Sequence, residues 1–170
     1  VPFELSRAAI DDVERGAEDS DWQPLKDAAR KIAYAEDRAI FEGYAAAGIR
    51  GIQKGSSNKT LQLPASVKNY SDAVAQGLSE LRLAGVNGPY MLVLGAEAYV
   101  AISGGSDEGY PVLHHIRDLV DGDIIWAPSL KGGYILSTRG GDCRLSLGQD
   151  LSSGYLSHTD TTVKLSLHES

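Results

Sequence analysis

The chain has 170 residues, 42% hydrophobic and 23% charged, enough to bury the core of one domain or of two small lobes. A formal net charge of -7 argues against a nucleic-acid backbone as partner, because that binding rests on Lys and Arg displacing counterions. No apolar run approaches the ~20 residues needed to span a bilayer. The single Cys143 cannot form an intrachain disulfide and fits a reducing, cytoplasmic setting.

Ser6 stands where it would cap a short helix through Glu14, stopped by Gly16. After a polar link, the longest helix is expected from Trp22 to Ala47. Pro24 falls in its first turn, where proline is tolerated, and Gly48 follows as a stop. Leu25, Ala29, Ile32, Ala35 and Ala39 recur at three- or four-residue spacings and mark its apolar face. The Gly/Ser/Asn-rich stretch 51–69, with Pro64, reads as a connection at a lobe boundary.

A helix from Ser71 to Leu83 follows, with Val74, Leu78 and Leu81 in register; Gly85 and Gly88-Pro89 end it. Tyr90–Leu94 reads as a buried strand and Ala96–Ile102 as a short helix. Ser103–Gly109 is a polar loop before a helix from Pro111 to Val120, whose inward face carries Leu113, Ile116 and Leu119 or Val120. Strands at Ile124–Trp126, Tyr134–Thr138 and Cys143–Leu147 are expected to complete a mainly antiparallel sheet. Thr162–His168 alternates as a strand with Val163, Leu165 and Leu167 on one face. Helices interspersed with clustered late strands make an α+β fold. Val1 lacks a preceding Met, and the last strand stops at Glu169-Ser170 without a turn or cap, so the chain reads as an internal fragment.

No catalytic constellation stands out. Glu36, Asp37 and Glu42 on the long helix lack the Glu-x-x-His spacing of a di-iron bundle, since Ala39 occupies the third position after Glu36. They read as a solvated face or as partners of Arg30, Lys31 and Arg38. His114 and His115 are adjacent on a helix and diverge, one expected exposed and one at a packing edge. Cys143, placed in a strand, reads as a small buried residue rather than a nucleophile. Lys54-Gly55-Ser56 has the wrong order for a phosphate loop. Arg139-Gly140-Gly141-Asp142 is a tight turn with two residues free to take positive φ; a hairpin and a contact with a neighbouring subunit both fit it. The rival enzymatic reading is a hydrolase pairing Cys143 or a Ser with His158 or His168, but no Gly-x-Ser-x-Gly elbow is present.

Four blocks carry a family resemblance: Ile10–Gly16 (IDDVERG), Ala35–Tyr44 (AEDRAIFEGY), Leu78–Tyr90 (LSELRLAGVNGPY) and Asp121–Tyr155, which holds RGGD and GQDLSSGY. In these the chain resembles the encapsulins, bacterial shell proteins with the fold of tailed-phage major capsid proteins. The resemblance implies a peripheral lobe from 1–50 and 150–170 built on the long spine helix. It implies an axial lobe from 51–149 of helices and antiparallel sheet, with a pore loop at 103–111. The encapsulin loop before a Tyr-Pro pair, here Tyr110-Pro111, lines the five-fold pore. Gly104, Gly105, Ser106, Asp107, Glu108, Gly109 and Tyr110 are then the pore residues, and Asp107 and Glu108 would form an acidic, cation-favouring ring.

The resemblance also implies a homo-oligomeric icosahedral shell in the cytoplasm that is not itself an enzyme and needs no cofactor or metal. Its cargo, a dye-decolourising peroxidase or ferritin-like protein tied to oxidative stress or iron storage, would dock through a C-terminal targeting peptide. Leu151 and Tyr155 match the remaining half of that docking surface, although Ser153 replaces the Ile of many relatives. Encapsulins carry an N-terminal helix and extended loop before the position of Val1, so this chain by itself is expected not to close a shell.

Overall fold

The computed structural model describes residues 1–170. The chain packs as two compact units, Val1–Glu36 with Leu145–Ser170, and Asp37–Arg144. The division falls inside the long helix, ahead of the expected boundary at residue 50. Phe41 packs with Tyr134, and Asp37 accepts a 2.7 Å hydrogen bond from the Ser129 hydroxyl, so the end of this helix belongs to the second unit.

In the first unit, strand β1 (Pro2–Ser6) leads into helix α1 (Arg7–Glu14), whose cap Ser6 Oγ accepts from the Ala9 amide at 3.0 Å. Helix α2 (Gln23–Phe41) starts where Asp21 accepts from the Gln23 amide. Strands β7 (Ser152–His158) and β8 (Thr162–His168) come from the far end of the chain and give a sheet in the order β1-β8-β7. Both pairings are antiparallel, with Phe3 opposite Leu165 and Tyr155 opposite Leu165 from the other side. Phe3, Leu5 and Leu167 are buried with Ala28 of α2, flanked by Leu25 and Ile32. Leu165 and Leu167, from the face expected to be apolar, thus join the residues of the helix in this core. Strands β1 and β7 were not expected.

Helix α2 ends at Phe41 rather than Ala47. Gly43 adopts φ 91°, and a Cβ there would lie 2.5 Å from the Arg50 carbonyl oxygen, so only glycine lets the chain double back so closely. Tyr44 and Ile49 then bridge through two backbone hydrogen bonds of 2.9 and 3.0 Å around a 3-10 turn at Ala45–Ala47. The alanines that extended the apolar pattern belong to this turn.

In the second unit a short helix α3 (Ile52–Gly55) precedes an irregular stretch and helix α4 (Tyr70–Leu83). Strand β2 (Tyr90–Leu94), helix α5 (Ala96–Gly104), strands β3 (Ser106–Asp107) and β4 (Tyr110–Pro111), helix α6 (Val112–Leu119), and strands β5 (Ile124–Trp126) and β6 (Gly133–Ser137) follow. The sheet order is β5-β2-β6, with β5 parallel and β6 antiparallel to β2. It is mixed rather than mainly antiparallel because the connection through α5 and α6 is a crossover, which returns the chain in the same direction. One face of β2 places Leu92 and Leu94 in a core with Val74, Leu78, Ile102 and Ile116. The other face places Val93 against Ala127 and Leu130.

The strand expected at Cys143–Leu147 is absent. Arg139 turns the chain away from β6 through hydrogen bonds to Asp142 and to the Gly85 carbonyl. Residues 141–150 are exposed throughout. Cys143 is therefore exposed, not buried.

Candidate functional site

The expected polar loop is a built hairpin. Helix α5 runs to Gly104, and at Gly105 a Cβ would lie 2.7 Å from the Ala101 carbonyl oxygen and 2.9 Å from a Val67 methyl. Ser106 pairs with Pro111 and Asp107 with Tyr110 in a minimal antiparallel ladder. Glu108 (φ 48°) and Gly109 (φ 89°) form the two-residue connection. Positive φ at both positions is the geometry that matches strand twist in a tight hairpin. A β-carbon-bearing residue adopts it at a penalty, which Glu108 bears at the tip.

The Gly105 carbonyl accepts from the Val112 amide at 3.1 Å, tying the hairpin base to the start of α6. Tyr110 reinforces this link, its ring centroid lying 4.5 Å from His115 and 5.8 Å from His114. Both histidines are exposed, so neither sits at a packing edge on the helix itself. Glu108 is exposed and Asp107 half-buried, and neither carboxylate belongs to a salt bridge. The hairpin thus presents uncompensated negative charge at a narrow tip.

The candidate docking residues Leu151 and Tyr155 are both more than half exposed, at 51% and 61%. Leu151 precedes β7, where its amide donates to Asp150 Oδ1 at 2.7 Å. Tyr155 lies in β7 opposite Leu165, just before a bulge that removes Leu156 from the register. The bulge brings His158 to Tyr155, and the phenol hydroxyl and His158 Nδ1 are hydrogen-bonded. Exposed Leu156 extends the apolar strip, and exposed Ser153 interrupts it. The alternation that reveals β8 is missing from Ser152–His158, which hid this strand and its bulge.

The turn at Arg139–Asp142 takes the expected positive φ at Gly140 (83°) and Gly141 (87°). Two parallel hydrogen bonds of 2.8 Å close it between the guanidinium and both Asp142 oxygens. Hydrogen bonding to Arg139 holds the Asp142 carboxyl below its ordinary range, and the same bond to Asp142 raises the Arg139 guanidinium. No second strand follows, so this is a clamped turn rather than a hairpin. Burial pushes the Tyr134 phenol upward, with the Glu42 charge adding to it.

The enzymatic reading finds no assembled partners. His158 Nδ1 is hydrogen-bonded to the Tyr155 hydroxyl. Serine hydroxyls at 20, 103, 137, 152 and 166 donate to backbone carbonyls, and Ser129 donates to Asp37. On α2, Arg38 pairs with Glu42 at 3.4 Å and Asp37 accepts from the Ser129 hydroxyl.

This architecture has a known parallel. A crystal structure of the virus-like particle from Pyrococcus furiosus matches 99% of this chain and 70% of its own, with a TM-score of 0.64 at 14% identity. The fold is therefore of the phage-capsid type. The type 1 encapsulin shell protein of Rhodococcus erythropolis strain PR4 is 61% identical over 170 residues, covering all of this chain and 64% of that protein. The corresponding shell proteins of Mycobacterium tuberculosis H37Rv (57% over 169 residues, 99% of this chain) and Rhodospirillum rubrum (46% over 171 residues, 100% of this chain) match over 64% and 61% of their lengths. The family described as encapsulating protein for peroxidase matches residues 1–170. The chain belongs to this family, the encapsulins, and spans somewhat less than two thirds of the length of these curated relatives.

Proposed function

We propose that these residues form part of the structural protomer of a self-assembling icosahedral shell, an encapsulin nanocompartment in the cytoplasm. The observation that carries this reading is the family match along the whole of residues 1–170, supported by the capsid-type fold. Closed symmetry repeats each modest interface many times, so no single contact needs to be strong.

The shell makes and breaks no bonds; its work is enclosure and selective entry. The serine hydroxyls bonded to backbone carbonyls and the bond from His158 to Tyr155 support this over a hydrolase. In the shell, Val1–Glu36 with Leu145–Ser170 corresponds to the peripheral lobe and Asp37–Arg144 to the axial lobe. The hairpin Ser106–Pro111 lines a symmetric pore, where Asp107 and Glu108 favour cations. Leu151 and Tyr155 offer apolar surface for a cargo peptide, and a peroxidase is the cargo type that the family description names. A ferritin-like protein is the second candidate, with the cargo supplying haem or iron chemistry.

Negative-stain electron microscopy with light scattering tests the reading on residues 1–170 placed within a chain of the relatives' full length. Uniform hollow particles are expected. Small species at all concentrations would remove the shell reading.

A further inference from the structure

The unit Asp37–Arg144 contains a cavity of about 350 Å³ that neither the pore nor the docking surface uses. Its accessible apolar lining is Leu61, Leu63, Leu81 and Ile135, which lie outside the sealed core of Ile102 and Ile116. Leu61 and Ile135 wall it, and Lys59, Lys131 and Glu80 line its exposed rim. Neither lysine is in a salt bridge.

Two features make it accessible. Strand β6 is an edge strand, and no strand covers its outer side. The residues bordering the cavity there, 57–63, form neither helix nor strand. No backbone–backbone hydrogen bond ties Thr60–Leu63 to β6 or α4. This wall is held by side chains such as Leu61, whose Cδ1 lies 3.7 Å from where a Cβ on Gly77 would be, and it can yield without breaking a ladder.

We propose that this cavity binds a small anionic amphiphile, such as a medium-chain carboxylate, with its chain on the apolar lining and its head at Lys59 and Lys131. At roughly 30 Å³ per water-sized group the space holds about a dozen non-hydrogen atoms, which matches a ten-carbon acid. Pockets of this kind take their affinity from apolar walls and their orientation from a few polar groups. Two cations against one carboxylate at the rim select an anionic head over a cationic one. The proposal is independent of shell assembly, because every lining residue lies in one compact unit.

Isothermal titration of decanoate into the 170-residue chain tests it, with decylamine as the cationic counterpart. One saturable site per chain with Kd below ~100 μM is expected, and weaker binding of the amine. Ala73→Phe, which fills the cavity from α4, is expected to weaken decanoate at least about tenfold. The Lys59→Ala/Lys131→Ala double variant is expected to weaken it about fivefold and to leave decylamine no weaker than before. A diazirine-bearing ten-carbon acid on the unaltered chain provides a readout that needs no variant: it should label peptides within 52–63 or 131–136. No saturable binding, labelling confined to the exposed leucines at 145–156, or undiminished binding by folded Ala73→Phe would overturn the proposal.

Discussion

Tyr110 packs against both histidines that follow it, with its ring centroid 4.5 Å from His115 and 5.8 Å from His114. Because Tyr110 is also the ladder partner of Asp107, these rings tether the acidic hairpin to the first turn of α6. A two-residue ladder is marginal without such support. Tyr110→Ala is expected to speed amide exchange across residues 106–111 while lowering global stability by no more than about 1.5 kcal/mol. Hydrogen exchange read by mass spectrometry checks this. Unchanged protection in the hairpin would mean that the Gly105–Val112 bond alone holds it.

This hairpin also marks the limit of what the sequence made legible. Three glycines with Ser106, Asp107 and Glu108 signal a solvated turn. The pairing of Ser106 with Pro111 depends on positive φ at Glu108, a residue with no preference for it. Periodicity reveals α4, α6 and β8 because each has one buried face, whereas α1 is legible only from its Ser6 cap and Gly16 stop and β2 as a short apolar run buried on both faces. It overran α2, since Ala45, Ala46 and Ala47 continue an apolar pattern after Gly43 has already reversed the chain. It invented a strand at Cys143–Leu147, where Leu145 and Leu147 alternate correctly yet remain 58% and 54% exposed. Of the candidate sites, the acidic tip was visible in composition. The bond from Tyr155 to His158 was not, because a bulge rather than strand alternation brings those residues together.

The core of the second unit is sharply focused. Ile102 and Ile116 are 0% and 1% exposed, whereas Leu83 at the end of α4 is 82% exposed. Truncating a sealed side chain removes transfer energy and leaves a cavity, so Ile116→Ala is expected to cost about 2–5 kcal/mol. Leu83→Ala is expected to stay within about 0.5 kcal/mol. Urea unfolding of the two variants side by side measures the contrast. Equal costs would show that the core is centred elsewhere.

The Arg139–Asp142 clamp predicts a local acid transition. Asp142 has a depressed carboxyl pKa in the folded chain, chiefly through its hydrogen bond to Arg139. Its contribution is therefore present above the ordinary carboxylate pKa of 3.8 and is lost as pH falls through the lower folded value. Both side chains are exposed enough for solvent to screen the pair, so the effect is on the turn and not on global stability. Carboxyl chemical shifts followed by NMR are expected to place the Asp142 titration below the ordinary carboxylate value of 3.8. Arg139→Ala should return it to that ordinary value, and an unshifted Asp142 in the unaltered chain would contradict the clamp.

The hairpin's charge makes the strongest functional prediction. Symmetry about a pore would repeat Asp107 and Glu108 around one narrow opening, and neither is neutralised by a salt bridge in the chain. Their combined potential would concentrate cations at the mouth of such a pore and repel anions, an effect that falls steeply with ionic strength. In shells assembled from a chain of the relatives' full length, Asp107→Asn with Glu108→Gln should slow entry of a divalent cation to a trapped chelating dye by about threefold or more at low salt. Entry of a small anion should speed up, and the difference should shrink near physiological salt. Neutralising both side chains leaves the hairpin backbone intact, so a change in pore width does not mimic this opposite response of the two ions. Cation and anion entry both unaltered by the double substitution would remove the acidic pore while leaving the shell itself untouched.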